Sequence, residues 1–101
     1  MIARIWHGYT TFENADSYEQ LLREEIFEGI KNREMHGFKS IQLFRRNIDH
    51  QTEFITLMMF DSIEAVKSFA GEQYEVAVVP EKARKLLSSF DATSQHYEVI
   101  V

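Results

Sequence analysis

Five side chains that can move a proton or hydrogen-bond an oxygen anion lie near the two ends of this 101-residue sequence. The first end carries Trp6, His7 and Tyr9, and the last end carries His96 and Tyr97. A free imidazole has a pKa of about 6.5, so either histidine is suited to accept a proton near neutral pH. Tyrosine and tryptophan can donate hydrogen bonds to a developing negative charge. The same residue types also build packed cores and structural hydrogen bonds, so both roles stay open for each of them.

The two ends are expected to meet as neighbouring antiparallel strands of one sheet, which would let the two histidines approach each other. Side chains alternate between the two faces of a strand. Trp6 therefore lies on one face of the first strand, with His7 and Tyr9 on the other. In the last strand, His96 lies opposite Tyr97. The sequence leaves open which face meets the helices.

The first half of the sequence predicts a strand followed by a long amphipathic helix. Residues 2–11 are rich in β-branched and aromatic types, which favour a strand. Asn14 is a candidate N-cap for a helix from about residue 15, because apolar residues then recur at helical spacing opposite a charged face. We expect this helix to be disturbed near Gly29.

The second half predicts two strands joined by a hairpin, two short helices and a closing strand. In chain order these are Phe38–Arg46, a loop over 47–51, residues 54–60, a helix capped by Asp61 and ended by Gly71, a helix opened by Pro80, and Ser94–Val101. This order is typical of the ferredoxin-like β-α-β-β-α-β fold, an α+β class with an antiparallel sheet whose first and third strands are central. The length allows one domain over residues 1–101.

The third predicted strand, residues 54–60, is apolar on both of its faces. One layer of helices covers a single face of a sheet, so the second face would be left in water. Two-fold pairing with another copy is the commonest way to cover such a face. The sequence therefore predicts a homodimer that associates through the sheet.

Composition argues against several classes of partner. With 16 acidic and 11 basic residues the formal charge is −5, which disfavours nucleic acid because that partner requires a basic face. There is no cysteine, and the four histidines are scattered, so we expect no metal site. No stretch approaches the about 20 apolar residues of a membrane span. The start lacks the pattern of a signal peptide, so a cytoplasmic location is expected.

Four stretches of the sequence resemble the antibiotic biosynthesis monooxygenase family, whose members are dimeric α+β barrels of this topology. They are the opening residues Met1 to Gly8, the segment from Gly37-Phe38 through Arg45-Arg46, the segment from Phe60-Asp61 through Phe69, and His96-Tyr97-Glu98-Val99 near the end. They occur in the family's order and together span nearly the whole chain. The resemblance implies the same fold and a cavity between sheet and helices.

The resemblance also implies an activity, which is oxidation of a small aromatic, quinol-like or enolisable molecule by oxygen without a bound cofactor. Such an oxidoreductase needs a base, hydrogen bonds to the substrate anion and a dry pocket. His7 or His96 is the expected catalytic base. The expected substrate-binding residues are Trp6, Tyr9, Phe69, Tyr74 and Tyr97.

Two other functions fit the same residues. A non-catalytic or stress-related homodimer could bind a small apolar molecule in the cavity, and an isomerase or decarboxylase could use a histidine base without consuming oxygen. The heme-degrading branch of the family is disfavoured, because Ser68-Phe69 stands where that branch has a histidine on its second helix.

Overall fold

The computed structural model, which describes all residues 1–101, contains one antiparallel sheet of five strands. The order across the sheet is β2-β3-β1-β4, and β5 also pairs with β1. The first and third strands are therefore central, and the predicted ferredoxin-like α+β fold is confirmed. The strands are β1 (Ile2–Thr10), β2 (Phe38–Ile48), β3 (Gln51–Phe60), β4 (Ser89–Phe90) and β5 (Gln95–Glu98).

Helices lie against one face of this sheet. The long predicted helix is α1 (Phe12–Leu21), which continues through a π-helical turn (Leu22–Ile26) into α2 (Phe27–Asn32). The two short helices are α3 (Ile63–Ala70) and α4 (Glu81–Leu86). The predicted cap of α3 at Asp61 is wrong, because the side-chain oxygen of Ser62 accepts from the backbone N–H of Ala65. No helix is long and apolar enough to cross a membrane.

The start of the first helix differs from the prediction. Asn14 is not the cap, because the backbone N–H of Asn14 donates to the side-chain oxygen of Thr11, which has extended backbone angles. The helix therefore begins at Phe12. Its irregularity is the π-helical turn at Leu22–Ile26, whereas Gly29 lies within the regular helix α2.

The predicted ends of the strands also shift, each for a physical reason. Asp49 and His50 both take positive φ angles and form a tight two-residue turn, so β2 and β3 extend into the loop expected over 47–51. The last strand was predicted to reach Val101, but β5 ends at Glu98. Glu98 pairs with Ile2, the first residue of β1, so the later residues have no strand to pair with.

The core lies between the helices and the inward-facing residues of β3. Phe54 is fully buried and meets the ring of Tyr18 edge to face, with the ring centroids 4.8 Å apart. Further along the strand, Phe60 packs with Val66 of α3 in a second cluster. These contacts fix the face of β3 that meets the helices.

The register of β1 on β3 then assigns every residue of β1 to a face. Arg4 pairs with Met58, and Trp6 pairs with Thr56, so both side chains point towards the helices. His7 pairs with Ile55 on the opposite face, which no element of the chain covers. The alternation of side chains along the first strand was predicted from the sequence, and the register now shows which set faces the helices.

A pair of glycine substitutions tests the connection between the long helix and β2. Gly37 has φ +84°, and a Cβ placed there would lie 2.6 Å from the Cβ of Ala65. Gly37→Ala should therefore lower the free energy of unfolding by about 1–3 kcal/mol, through backbone strain and a clash with α3. Gly29→Ala should raise it by about 0.5–1 kcal/mol, because Gly29 is helical and a Cβ there meets nothing within 4 Å.

Urea denaturation of both variants measures these changes. Equal unfolding free energies for Gly37→Ala and the native protein would contradict the placement of Gly37 against α3.

Candidate active site

A cavity of about 60 Å³ lies between the helices and the inward face of the sheet. Twelve of its sixteen lining residues are apolar, and they come from the central strands, the long helix, α3 and the segment leading into α4. The lining includes Trp6, Leu22, Phe27, Met58, Phe69 and Ala83. An apolar lining of this kind favours a dry site for a small molecule.

The volume limits what the cavity can hold. An engineered apolar cavity of about 150 Å³ binds one benzene molecule, whereas this cavity has about 60 Å³. The cavity is partly open to solvent, so a ligand with one aromatic ring can extend into the mouth or displace side chains. A fused three-ring ligand requires a much larger rearrangement.

Arg4 is the one charged residue in the lining, and it is 4% exposed. Its Nη1 donates to the carbonyl oxygen of Tyr74 at 2.5 Å, and its Nη2 donates to the carbonyl oxygen of Val76 at 3.4 Å. The guanidinium lies 5.5 Å from the ring centroid of Phe69. Burial lowers the pKa of Arg4 to about 10, so the group stays positively charged at neutral pH.

His96 lies beside Arg4 because β1 and β5 pair these two residues directly. The Nε2 atom of His96 is 2.9 Å from Nη1 of Arg4. Arginine can only donate, so this Nε2 accepts and the imidazole proton is on Nδ1. Tyr74 holds the other side of the imidazole, with the two rings edge to face and their centroids 5.0 Å apart.

The environment of His96 keeps its imidazole neutral. Burial lowers the pKa of His96 below 6.5, the charge of Arg4 lowers it further, and Glu75 opposes both effects. A neutral imidazole at neutral pH is a proton acceptor. Its lone pair faces Arg4, and His96 itself is not part of the cavity wall.

The ring of Trp6 lines the cavity, while its indole N–H is already hydrogen-bonded within the protein. The indole N–H donates to the carbonyl oxygen of Asp91 at 2.7 Å. A side chain at position 8 would obstruct the ring, because a Cβ on Gly8 would lie 2.9 Å from Cη2 of Trp6. Trp6 therefore supplies an apolar wall rather than a hydrogen bond to a ligand.

His7 and Tyr9 belong to a separate network on the other face of the sheet, centred on the buried Glu53. One carboxylate oxygen of Glu53 is 3.1 Å from Nδ1 of His7 and accepts from the Tyr9 hydroxyl at 3.3 Å. The other accepts from Nε of Arg46 at 2.6 Å. The Arg46 hydrogen bond lowers the pKa of Glu53 most, the His7 hydrogen bond lowers it too, and burial opposes them.

The residues predicted from the sequence thus divide between two faces. Trp6 and Phe69 line the cavity, and Tyr74 and His96 adjoin it through Arg4. The other three, His7, Tyr9 and Tyr97, lie on the uncovered face, where Tyr97 is 54% exposed. The expectation that the two histidines approach each other is wrong, because they lie on opposite faces of the sheet.

Sequence reasoning missed Arg4 as a cavity residue, together with three hydroxyl-bearing residues of the lining, Tyr18, Thr56 and Ser94. Arg4 lies two residues before Trp6, so both side chains had to share one face of the strand, and this spacing could have indicated Arg4. Thr56 gave no signal in the sequence, because the residues on both sides of it in the strand are apolar. Nowhere does the chain bring together three or more side chains able to hold a metal ion.

Comparisons with known proteins give one kind of match. No protein-family profile and no curated protein matches the sequence. Among solved structures, the fold is similar to that of a Bacillus cereus protein that carries the provisional name antibiotic biosynthesis monooxygenase. The similarity covers 97% of this chain and 87% of that chain, with a TM-score of 0.54 and 16% sequence identity. At that identity the likeness shows the fold.

A pH titration of stability tests the environment of His96. The unfolded chain binds the imidazole proton more readily than the folded protein, because the folded pKa is lower. His96 therefore makes the native protein lose unfolding free energy as the pH falls through 6.5 towards the folded pKa. We expect His96→Gln to show a shallower loss of stability between about pH 7.5 and about pH 5.

Urea denaturation across this range, followed by the fluorescence of Trp6, measures the difference. His36→Gln, which changes an exposed turn histidine, controls for the loss of one imidazole. If the unfolding free energies of the native protein and His96→Gln changed in parallel with pH, folding would not lower the pKa of His96, and the prediction would be wrong.

Proposed function

We propose that this protein is a monooxygenase that oxidises a small aromatic, quinol-like or enolisable substrate with molecular oxygen and without a bound cofactor. The observation that supports this most is the buried, charged Arg4 in an apolar cavity, next to a neutral His96. The sequence resemblance and the fold of the Bacillus cereus protein point to the same reaction class.

In this reaction the substrate itself supplies the electrons. A ring-activated CH₂ group, an enol or a quinol hydroxyl loses a proton, and the electron-rich anion reduces oxygen. For a CH₂ group, one oxygen atom becomes a carbonyl oxygen and the other leaves as water with the two hydrogens of that carbon. For a quinol, one oxygen atom enters the ring as a hydroxyl group, the ring becomes a hydroxyquinone, and the other oxygen atom leaves as water. The protein has to favour the anion and exclude water from it.

Arg4 and His96 divide these tasks in the proposed mechanism. When Nη1 of Arg4 turns from His96 to the acidic group of the neutral substrate, it frees the Nε2 lone pair of His96 and leaves it facing the cavity. The freed imidazole then accepts the substrate proton while Arg4 stabilises the negative charge that develops, and the half-buried imidazole returns the proton to solvent. Trp6 and Phe69 keep the reacting carbon in an apolar environment.

Oxygen uptake with a panel of single-ring hydroquinones and a fused-ring anthrone tests this proposal. We expect uptake above the buffer rate, and faster with single rings, because the cavity has about 60 Å³. His96→Ala should lower the rate by about a hundredfold, the usual contribution of a general base. His36→Ala should leave the rate unchanged.

His7→Ala distinguishes the two predicted bases. Loss of activity in His7→Ala with full activity in His96→Ala would show that the base is His7, on the other face of the sheet, and would contradict the proposed role of His96. No uptake with any substrate would favour a binding protein or an isomerase on the same fold.

We also propose that two copies associate through the uncovered face of the sheet. Half-buried apolar side chains from β1 and β3 lie side by side there, including Ile5, Ile55 and Leu57. The edge strand β2 adds Phe44, which is 47% exposed and pairs with Ile55. A continuous apolar face of this kind is typical of a protein–protein interface.

Sedimentation velocity on the native protein and on Leu57→Arg tests the association. The native protein should sediment as a dimer and Leu57→Arg as a folded monomer, because a charge would be buried at the centre of the interface. Phe12→Arg, at an exposed position on the helical side, is the matched control and should stay dimeric. A monomeric native protein at micromolar concentration would contradict this proposal.

A further inference from the structure

Three arginines lie on strands of the sheet, and Arg4 is the one of these three that has no carboxylate partner. Arg45 binds Asp16 and Glu19 at 3.0 and 2.8 Å, and Arg46 binds Glu53 at 2.6 Å. Both are more exposed than Arg4, with side-chain exposures of 34% and 66%. The most buried cation thus has no counter-ion, in a chain whose net charge is −5.

The partners that Arg4 does have are neutral. Two backbone carbonyls and the imidazole of His96 accept from its guanidinium, which has five N–H donors. Burying a charge that lacks an opposite charge is costly, and the protein compensates only in part. The lowered pKa of Arg4 has burial as its cause and reflects this cost. An anion bound beside Arg4 would remove much of it.

The cavity also offers neutral donors. Three of the lining residues, Tyr18, Thr56 and Ser94, carry a hydroxyl group. Burial raises the pKa of the Tyr18 hydroxyl, so this group stays a protonated donor at neutral pH. One cation and three hydroxyl-bearing residues in a mostly apolar lining are suited to a small group with a single negative charge.

We infer that the cavity selects its ligand by charge and takes a small oxygen monoanion carried on an apolar body, with the ligand as the counter-ion that Arg4 lacks. The shared chemistry is that of a carboxylate or of the anion of an acidic phenol or enol. This inference rests on the proposed function and deepens it, since it concerns the same cavity and specifies the charge of the substrate once its proton has gone to His96. Binding needs no oxygen, so it can be tested separately from catalysis.

Three ligands of one shape and different charge supply the test: benzoate, benzamide and benzamidine, which carry charges of −1, 0 and +1. NMR titration of the ¹⁵N-labelled protein in a low-salt buffer gives their affinities. The chain has a single tryptophan, so the indole N–H resonance of Trp6 reports on the cavity without ambiguity. We expect benzoate to bind at least about tenfold more tightly than benzamide, and benzamidine not to bind.

Variants then assign the selectivity to Arg4. Arg4→Met should abolish the preference for benzoate, and Arg4→Lys should keep part of it because the positive charge remains. Arg45→Met is the matched control and should keep the full preference, since Arg45 lies over Phe54 outside the cavity lining. Circular dichroism establishes that each variant is folded.

The native protein alone can overturn the inference, even where Arg4→Met does not fold. Equal affinities for benzoate and benzamide, or a preference for benzamidine, would show that the cavity does not select an anion. Benzoate binding that leaves the Trp6 resonance unchanged would place the anion elsewhere and would also overturn it. Anion binding without oxygen uptake would leave this inference standing and reject only the oxygenase.

Discussion

The structure depends on one constraint, which is a buried positive charge at the centre of the sheet. Arg4 lies on β1, which has β3 on one side and β4 and β5 on the other, so its side chain cannot reach solvent along the sheet. The segment after α3 brings two carbonyl oxygens to the guanidinium, and an isolated bridge between Val76 and Thr93 holds that segment in place. The segment after α3 thus keeps this cation hydrogen-bonded in an apolar setting.

This constraint decides which of the histidines lies on the cavity side of the sheet, next to Arg4. The register of β5 on β1 places His96 opposite Arg4, and the alternation of β1 sends His7 to the other face. There His7 meets Glu53, a carboxylate that Arg46 also binds. The two faces therefore have opposite arrangements, with an unpaired cation on the cavity side and a well-paired carboxylate on the uncovered side.

The sequence was sufficient for the fold because the patterns along the chain agree with one another. Strand alternation correctly separated Trp6 from His7, and the doubly apolar third strand was correctly placed at the centre of the sheet. The direction of the faces was beyond a single sequence, because both faces of β3 are apolar. The packing of Phe54 on Tyr18 and of Phe60 on Val66 decides it. Arg4 was missed since an arginine near a chain end usually lies in solvent, and its burial depends on residues some 70 positions away.

The central claim is that the cavity favours the anion of a small acidic molecule, and 4-nitrophenol tests it most directly. Its anion absorbs visible light, so the pKa of the bound molecule can be read from an absorbance titration. An apolar cavity alone would raise that pKa by desolvation, whereas a nearby cation would lower it. The account predicts a pKa below that of free 4-nitrophenol in the native protein and above it in Arg4→Met. A raised pKa in the native protein would contradict the account.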